Sequence, residues 1–181
     1  MNKILTYSII IGFCLLISYI SINGTNQIAN RSVVGTISYK APDTWNINKS
    51  EKQYRLLEIT LDTEDDFSLV VFSNIQRTAD QNIERWIGQF KKDEVLEENI
   101  FVQKDSFDNR YITLLEMYVT YDVPNMANPS QEKIIKNDYG LLGGVIEFPN
   151  SLYFIKAVGT NSTISENSDN FREFVYSIKL N

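Results

Sequence analysis

Apolar and polar positions alternate along the chain with two different periods. Between positions 78 and 90 the apolar residues recur at i, i+3, i+4 and i+7, which is the spacing of one face of a helix. Thr78 and Gln81 have the spacing of a capping box, so the pattern predicts a helix that begins near Thr78. A similar stripe predicts a C-terminal helix that begins between Thr163 and Ser168. The two stripes consist of Ile83, Trp86, Ile87 and Phe90, and of Phe171, Phe174, Val175 and Ile178.

Runs of β-branched and aromatic residues predict strands on both sides of the first helix. The run 67–75 is apolar on both faces, which places it near the centre of a sheet with helices above and below. Gly143 and Gly144 lie inside another run and predict either a bulge or the close approach of a packed helix. The predicted strands are 33–39, 54–62, 67–75, 101–105, 111–123, 138–148 and 152–158, and 124–136 is predicted to be an irregular connection.

The order of these elements indicates the α+β class, because strands joined as hairpins alternate with single helices. We expect an antiparallel β-sheet of about six to seven strands flanked by helices. The length of 181 residues fits one folded domain after a targeting segment.

The charge of the chain argues against nucleic-acid binding. Lys3 is the only charged residue in the first 24 positions, so the rest of the chain is one unit more acidic than the whole-chain net charge of −6. Such a domain is repelled by phosphate backbones and anionic lipid.

The residue types that most catalytic and metal sites use are missing. The sequence has no histidine, and its only cysteine is Cys14 in the apolar N-terminal run. A Ser-His-Asp or Cys-His site is therefore excluded, zinc lacks its usual ligands, and no disulfide can form within the chain. We expect no catalytic residue, no cofactor and no metal.

The N-terminus has the pattern of an export signal. Residues 4–22 carry no charge and follow Lys3, which is typical of a signal peptide, and the run is also long enough to stay in a membrane as an anchor. A lipid anchor on Cys14 is disfavoured because Phe13 precedes it. We expect residues 1–24 to be a signal peptide or anchor, 25–32 a tether, and 33–181 the folded domain. The domain is then periplasmic, exposed on the cell surface or secreted, with membrane contact only through residues 4–22.

Several local sequences resemble a known class of proteins. They are a Pro-x-x-Trp turn at Pro42 and Trp45, the helix end Asn-Ile-Glu-Arg-Trp-Ile-Gly-Gln-Phe, the strand Tyr-Gly-Leu-Leu-Gly-Gly-Val-Ile, and the helix Phe-Arg-Glu-Phe-Val. Together they resemble small bacterial exported proteins of the PsbP-like class, over residues 33–180. That class shares its fold with the photosystem II extrinsic protein P and with the Ran-binding Mog family.

The resemblance implies an α/β/α sandwich around an antiparallel sheet. It also implies a non-catalytic role in binding to a partner protein or in assembly on it. Metal sites of photosynthetic members involve histidine, which this chain lacks, so the resemblance implies no metal site here.

Arg85, Trp86 and Gln89 are the candidate partner-binding residues. In one interpretation Arg85 and Gln89 form the rim of a partner-binding surface beside Trp86. In the other, Trp86 belongs to the core and its two neighbours form a solvated helix face.

Acidic residues offer two further candidate sites. Glu58, Glu116 and Glu147 stand inside apolar strands, where a pair of carboxylates in a cleft would suit a hydrolase; the alternative is pairing with lysine or arginine on a partly covered sheet face. The acidic run 62–66 suits calcium, although its spacing differs from the twelve-residue calcium loop, and the alternative is a solvated hairpin tip.

These observations favour an exported, non-catalytic binding or assembly module that contacts an envelope protein and is itself a monomer. The alternatives are a carrier of a small molecule or lipid and a carboxylate-based hydrolase. A deep apolar pocket near Trp86 would favour the carrier, and two facing acids in a cleft would favour the enzyme.

Overall fold

The computed structural model describes residues 31–62, 66–73, 75–90, 99–123 and 134–181. These residues form twelve strands and two helices. The elements are β1 (Ser32–Val34), β2 (Ile37–Tyr39), β3 (Trp45–Lys49), β4 (Arg55–Leu61), β5 (Ser68–Ser73), α1 (Ala79–Ile87), β6 (Ile100–Phe107), β7 (Arg110–Tyr118), β8 (Tyr121–Val123), β9 (Ile134–Lys136), β10 (Tyr139–Phe148), β11 (Ser151–Thr160), α2 (Asn161–Ser177) and β12 (Lys179–Leu180).

The core of the domain is an antiparallel sheet of seven strands in the order β3-β4-β5-β11-β10-β7-β6. A small sheet of β1, β2 and β12 and the β8-β9 pair accompany it. The α+β class and the predicted number of sheet strands are therefore confirmed. The predicted hairpins are also confirmed: β4 pairs with β5, β6 with β7, and β10 with β11, all antiparallel.

Two adjacent glycines show that the helices lie on opposite faces of this sheet. A Cβ atom on Gly143 would lie 2.7 Å from Cζ3 of Trp86 in α1, and one on Gly144 would lie 2.9 Å from Cγ2 of Val175 in α2. Successive residues of a strand point to opposite faces, so each glycine leaves room for a different helix to pack closely on the sheet. Of the two predicted alternatives, the close approach of a packed helix is correct, and the register of β10 with both neighbours continues without a shift.

Two hydrophobic clusters fill the space between the sheet and the helices. The α2 cluster includes Trp45, Phe67, Phe171 and Phe174, whereas the smaller α1 cluster is built around Trp86. Strand β5 contributes to both, because Leu69 and Val71 face α2 while Phe72 faces α1. The prediction that this strand is interior and apolar on both faces is confirmed.

Some predicted boundaries were wrong. The run 33–39 is not one strand, because Gly35 has a φ of 55° and the chain turns there to form the β1-β2 hairpin. The run 111–123 divides into β7 and β8, and β9 lies within the predicted irregular connection 124–136. β3 and β12 were not predicted at all.

Helix α2 begins earlier than its sequence predicts. Its N-cap is Thr160, whose side chain accepts a hydrogen bond from the backbone N–H of Thr163 at 3.3 Å. Thr163 is therefore inside the first turn and is not a cap. The helix follows β11 directly, so the strand and the helix share Thr160 as their junction.

The predicted export segment 1–24 lies outside the described residues. Among the residues that the structure does describe, no helix is long and apolar enough to cross a membrane. The predicted junction between tether and domain, at residues 32 and 33, falls within β1. Arg31 is also tied to the domain, since its guanidinium donates hydrogen bonds to the backbone oxygens of Ser38 and Ser177.

Candidate binding surface beside the first helix

Helix α1 holds two of the three residues that the sequence singled out, and the third, Gln89, lies in the turn after its C-cap, because the helix ends at Ile87 and not near Phe90 as its stripe predicts. Its predicted capping box is confirmed: the Thr78 hydroxyl accepts from the Gln81 N–H at 3.2 Å, and the Gln81 side chain accepts from the Thr78 N–H at 3.1 Å. Arg85 is exposed, Gln89 is partly exposed and Trp86 is fully buried. Of the three candidates, only Arg85 and Gln89 reach the surface.

Trp86 belongs to the core. Its ring covers Gly143, and its neighbours in the α1 cluster include Ile83, Phe90 and Phe154. Among the described residues, its indole N–H has no hydrogen-bond partner. Trp86 therefore fixes α1 on the sheet and supports the surface from below.

Arg85 is held by a buried amide. Its Nε and Nη2 donate to Oδ1 of Asn82 at 3.1 and 3.0 Å, and Asn82 is fully buried. Partial burial and the nearby positive charge of Arg77 lower the pKa of the Arg85 guanidinium. Since Asn82 is neutral, this contact orients the guanidinium without neutralising its charge.

Lys156 on β11 lies next to the end of α1. It is opposite Gly143 in the sheet, and its Nζ donates to Oε1 of Gln89 at 2.5 Å and to Oη of Tyr121 at 3.2 Å. Burial, and secondly the charge of Arg85, lower the pKa of Lys156 to about 7. Near neutral pH this amine is therefore divided between its charged and neutral forms.

Tyr121 closes the site on the other side. Its ring stacks on Tyr139 at 5.9 Å between centroids and meets Phe90 edge-on at 5.3 Å. The Nζ of Lys156 lies 5.2 Å from the centre of the Tyr121 ring, which is within cation–π range. Burial and the neighbouring Tyr139 raise the pKa of Tyr121, so its phenol stays neutral over the physiological range.

Arg85, Gln89, Tyr121 and Lys156 together are called the α1 surface below. It offers two cations whose described hydrogen-bond partners are neutral, next to an aromatic ring. Guanidinium and ammonium groups bind carboxylates well, and tyrosine and arginine are typical of the energetically important residues in protein interfaces. The chemistry of the α1 surface therefore suits an acidic partner.

Lys156 and Tyr121 were not predicted as site residues. Lys156 could have been recognised from the sequence, because it is the only charged residue in the apolar run 152–158. Tyr121 could not have been recognised in this way, since its role depends on how the chain after β7 passes the end of α1.

The candidate catalytic carboxylates do not come together. Glu116 and Glu147 lie on opposite faces of the sheet, since Leu142, the partner of Glu116, belongs to the α2 cluster and Leu152, the partner of Glu147, packs against the α1 cluster. Glu116 accepts a hydrogen bond from the Tyr118 hydroxyl.

Glu58 is paired with cations, as the alternative interpretation predicted. Its carboxylate receives hydrogen bonds from Lys52, Arg55 and Ser50, which lower its pKa. A depressed pKa keeps Glu58 ionised and makes it a poor general acid.

The acidic run 62–66 shows no metal site in its described part. Asp62 accepts from Asn46 at 2.5 Å, and Asp66 pairs with Lys136 at 2.9 Å, while residues 63–65 lie outside the described residues. Within the described ranges, no three acidic, histidine or cysteine side chains are grouped to hold a metal ion.

Three cavities lined by described residues lie away from Trp86, and two of them border strand β6. One of about 290 Å³ runs between β6, β7 and α2 over an apolar floor of Leu114, Leu142 and Phe171. The other, of about 380 Å³, lies between the start of α1 and the β6-β7 hairpin.

Comparison with known proteins identifies the fold. The chain is similar to cyanobacterial PsbP (CyanoP) from Synechocystis sp. PCC 6803, known from a solution structure, with a TM-score of 0.52 and 11% sequence identity over 81% of this chain and 87% of that chain. No protein-family model and no curated protein sequence matches. The chain therefore has a PsbP-like fold, as the sequence resemblance implied.

Proposed function

We propose that this protein is an exported, non-catalytic binding or assembly module of the bacterial envelope that acts through protein–protein contact at the α1 surface. The observation that carries the proposal is the pair of cations, Arg85 and Lys156, that are oriented by neutral partners in an otherwise acidic domain. The PsbP-like fold supports a non-catalytic role, because the resemblance implies one.

The partner is proposed to present a carboxylate to this surface. Arg85 lies in the last turn of α1 and Gln89 directly follows its C-cap, Gly88, so both lie near the C-terminal end of the helix and can contact the same segment of a partner. Tyr121 offers ring surface beside them, and Lys156 adds a positive charge that depends on pH. The apolar segment 4–22 supports delivery of the domain across a membrane.

The test is an affinity purification of the full-length chain from native membranes with a matched control. The double variant Arg85→Ala, Gln89→Ala is compared with Arg172→Ala, which removes an arginine from the opposite face of the sheet. We expect an envelope protein that co-purifies with the wild type and the control and is lost with the double variant. Equal recovery with all three proteins would contradict a role for the α1 surface.

A carrier of a small molecule or lipid is the second candidate. It is favoured by the cavity of about 290 Å³ whose floor is formed by Leu114, Leu142 and Phe171. Native mass spectrometry of the purified protein distinguishes the two. A bound lipid or metabolite that is lost in Leu142→Gln, with no co-purifying protein, would replace the binding-module proposal.

A further inference from the structure

Among the described strands, β6 lies at one edge of the large sheet and exposes apolar side chains towards both of its ends. Eight large hydrophobic side chains are exposed in the described part of the chain, and four of them, Phe101, Val102, Phe107 and Tyr111, lie on β6 and its neighbour β7. A long edge strand with exposed apolar residues is a template for pairing with another strand.

The opposite edge of the sheet lacks this property. Strand β3 exposes Asn46, Asn48 and Lys49, while Trp45 points into the core. Polar and charged residues of this kind protect an edge from pairing. Strand β6 also carries polar and charged residues at its centre, Gln103 to Ser106, so it differs from β3 in the large apolar side chains that it exposes towards both ends.

The β6-β7 turn determines which backbone groups of β6 point away from β7. Asp108 and Asn109 have φ values of 53° and 58°, which is typical of a two-residue type I′ turn. In such a hairpin the closing pair, here Phe107 and Arg110, is hydrogen-bonded, and hydrogen-bonded and non-hydrogen-bonded pairs then alternate. The residues of β6 whose N–H and C=O point away from β7 are therefore Ile100, Val102, Lys104 and Ser106.

We propose that β6 pairs antiparallel with β6 of a second copy around a two-fold axis at Lys104, joining two seven-stranded sheets into one. A two-fold axis perpendicular to the sheet keeps each residue on its own face. Even-numbered residues must then pair with even-numbered ones, which are the residues whose backbone groups point away from β7. The exposed backbone groups of β6 thus suit symmetric pairing.

The side chains select the register centred on Lys104. This register sets Phe101 opposite Phe107 of the second copy, on the α2 face, where the two residues are 58% and 48% exposed in one copy. It also sets Val102 opposite Ser106, whose neighbour within its own copy is Tyr111. All four exposed apolar residues of this edge therefore meet apolar surface or a small side chain.

The neighbouring registers are poorer. A centre at Gln103 sets Phe101 opposite Asp105 and Val102 opposite Lys104. A centre at Asp105 sets two Asp105 carboxylates opposite each other, which is destabilising. In the register centred on Lys104, the two lysines meet at the axis, but each Nζ is already 2.8 Å from Oδ1 of its own Asp80. A dimer of this kind departs from the monomer that the sequence led us to expect.

Cysteine cross-linking tests the register directly. In the full-length chain with Cys14→Ser, Lys104→Cys places two cysteines opposite each other at about 5.5 Å between Cα atoms, within the range of a disulfide. The matched control, Val102→Cys, places its two cysteines four residues out of register, roughly 13 Å apart. We expect mild oxidation to give a disulfide-linked dimer with Lys104→Cys at least tenfold faster than with Val102→Cys.

Sedimentation in mild detergent then tests the contact without a cysteine. Ser106→Pro removes an outward N–H without affecting the β6-β7 bonds, so it is expected to weaken dimerisation and leave the fold intact. Equal cross-linking of the two cysteine variants, or a wild type that stays monomeric, would overturn the proposal. Binding of an extended peptide of another protein by a monomer at this edge would overturn it as well.

Discussion

The two faces of the sheet each bury a tryptophan and an asparagine, but they use them differently. On the α2 face, Nε1 of Trp45 donates to Oδ1 of Asn167 at 3.1 Å, and the Asn167 amide donates to the Thr163 carbonyl at 2.9 Å. On the α1 face, the N–H of Trp86 and the NH₂ of Asn82 have no partner among the described residues.

The two faces therefore differ in what the oxygen of the buried asparagine binds; unpaired donors do not separate them, because Nε of Arg110 on the α2 face also has no partner among the described residues. On the α1 face the oxygen of Asn82 orients Arg85 at the surface, whereas on the α2 face the same side-chain type completes an internal network. The comparison supports placing the binding surface beside α1.

The largest expected effect on stability comes from adding a methyl group at the two glycines that contact the helices, Gly143 and Gly144. Gly143→Ala puts a methyl group within 2.8 Å of two atoms of the rigid Trp86 ring, so we expect a loss of about 3 kcal/mol in the free energy of unfolding. Gly144→Ala meets one methyl group of Val175 at 2.9 Å and its other contacts at 3.5 Å, so we expect about 1 kcal/mol. Urea unfolding of both variants measures the difference, and a larger loss with Gly144→Ala would show that α2 is the less adaptable contact.

The second effect is a pH dependence specific to the α1 face. Because the folded pKa of Lys156 is lowered to about 7, the unfolded chain binds more protons between about pH 7 and pH 10, and stability rises with pH in that window. We expect the wild type to gain about 2 kcal/mol relative to Lys156→Met between pH 7 and pH 9. Parallel stability curves for the two proteins would mean that Lys156 has an ordinary pKa.

The smallest effect compares the two tryptophans. Trp45→Phe breaks a hydrogen bond and leaves Oδ1 of Asn167 unpaired, whereas Trp86→Phe removes a donor that has no described partner. We therefore expect Trp45→Phe to be more destabilising by about 1 kcal/mol, measured by thermal and urea unfolding. An equal or greater loss with Trp86→Phe would indicate that the Trp86 N–H is satisfied in solution.

Much of the fold is readable from the sequence because it depends on local patterns. The stripe around Trp86, the capping box at Thr78 and the doubly apolar run that became β5 all identify elements and the faces they bury. The predicted boundaries were wrong where one residue ends or begins an element, as at the turn at Gly35 and the N-cap at Thr160. The apolar pattern around such a residue does not show the boundary.

The candidate site was less predictable because it is assembled from distant segments. Arg85 and Gln89 stand out because they flank the α1 stripe. Lys156 reaches them only because β11 lies beside β10 and beneath the end of α1, and this strand order follows from pairings between residues far apart in the chain. Trp86 was a candidate binding residue, with a core position as the alternative, because a helical stripe alone does not show how deeply the sheet buries it.

The central claim is that the α1 surface binds an acidic partner protein. The most direct measurement is the affinity of the purified full-length chain for its co-purified partner, by calorimetry at pH 6 and pH 8, for the wild type, Arg85→Ala with Gln89→Ala, and Arg172→Ala. We predict a loss of about tenfold or more for the double variant, none for the Arg172 control, and tighter wild-type binding at pH 6, where Lys156 is charged. Equal affinities for all three proteins at both pH values would contradict the claim.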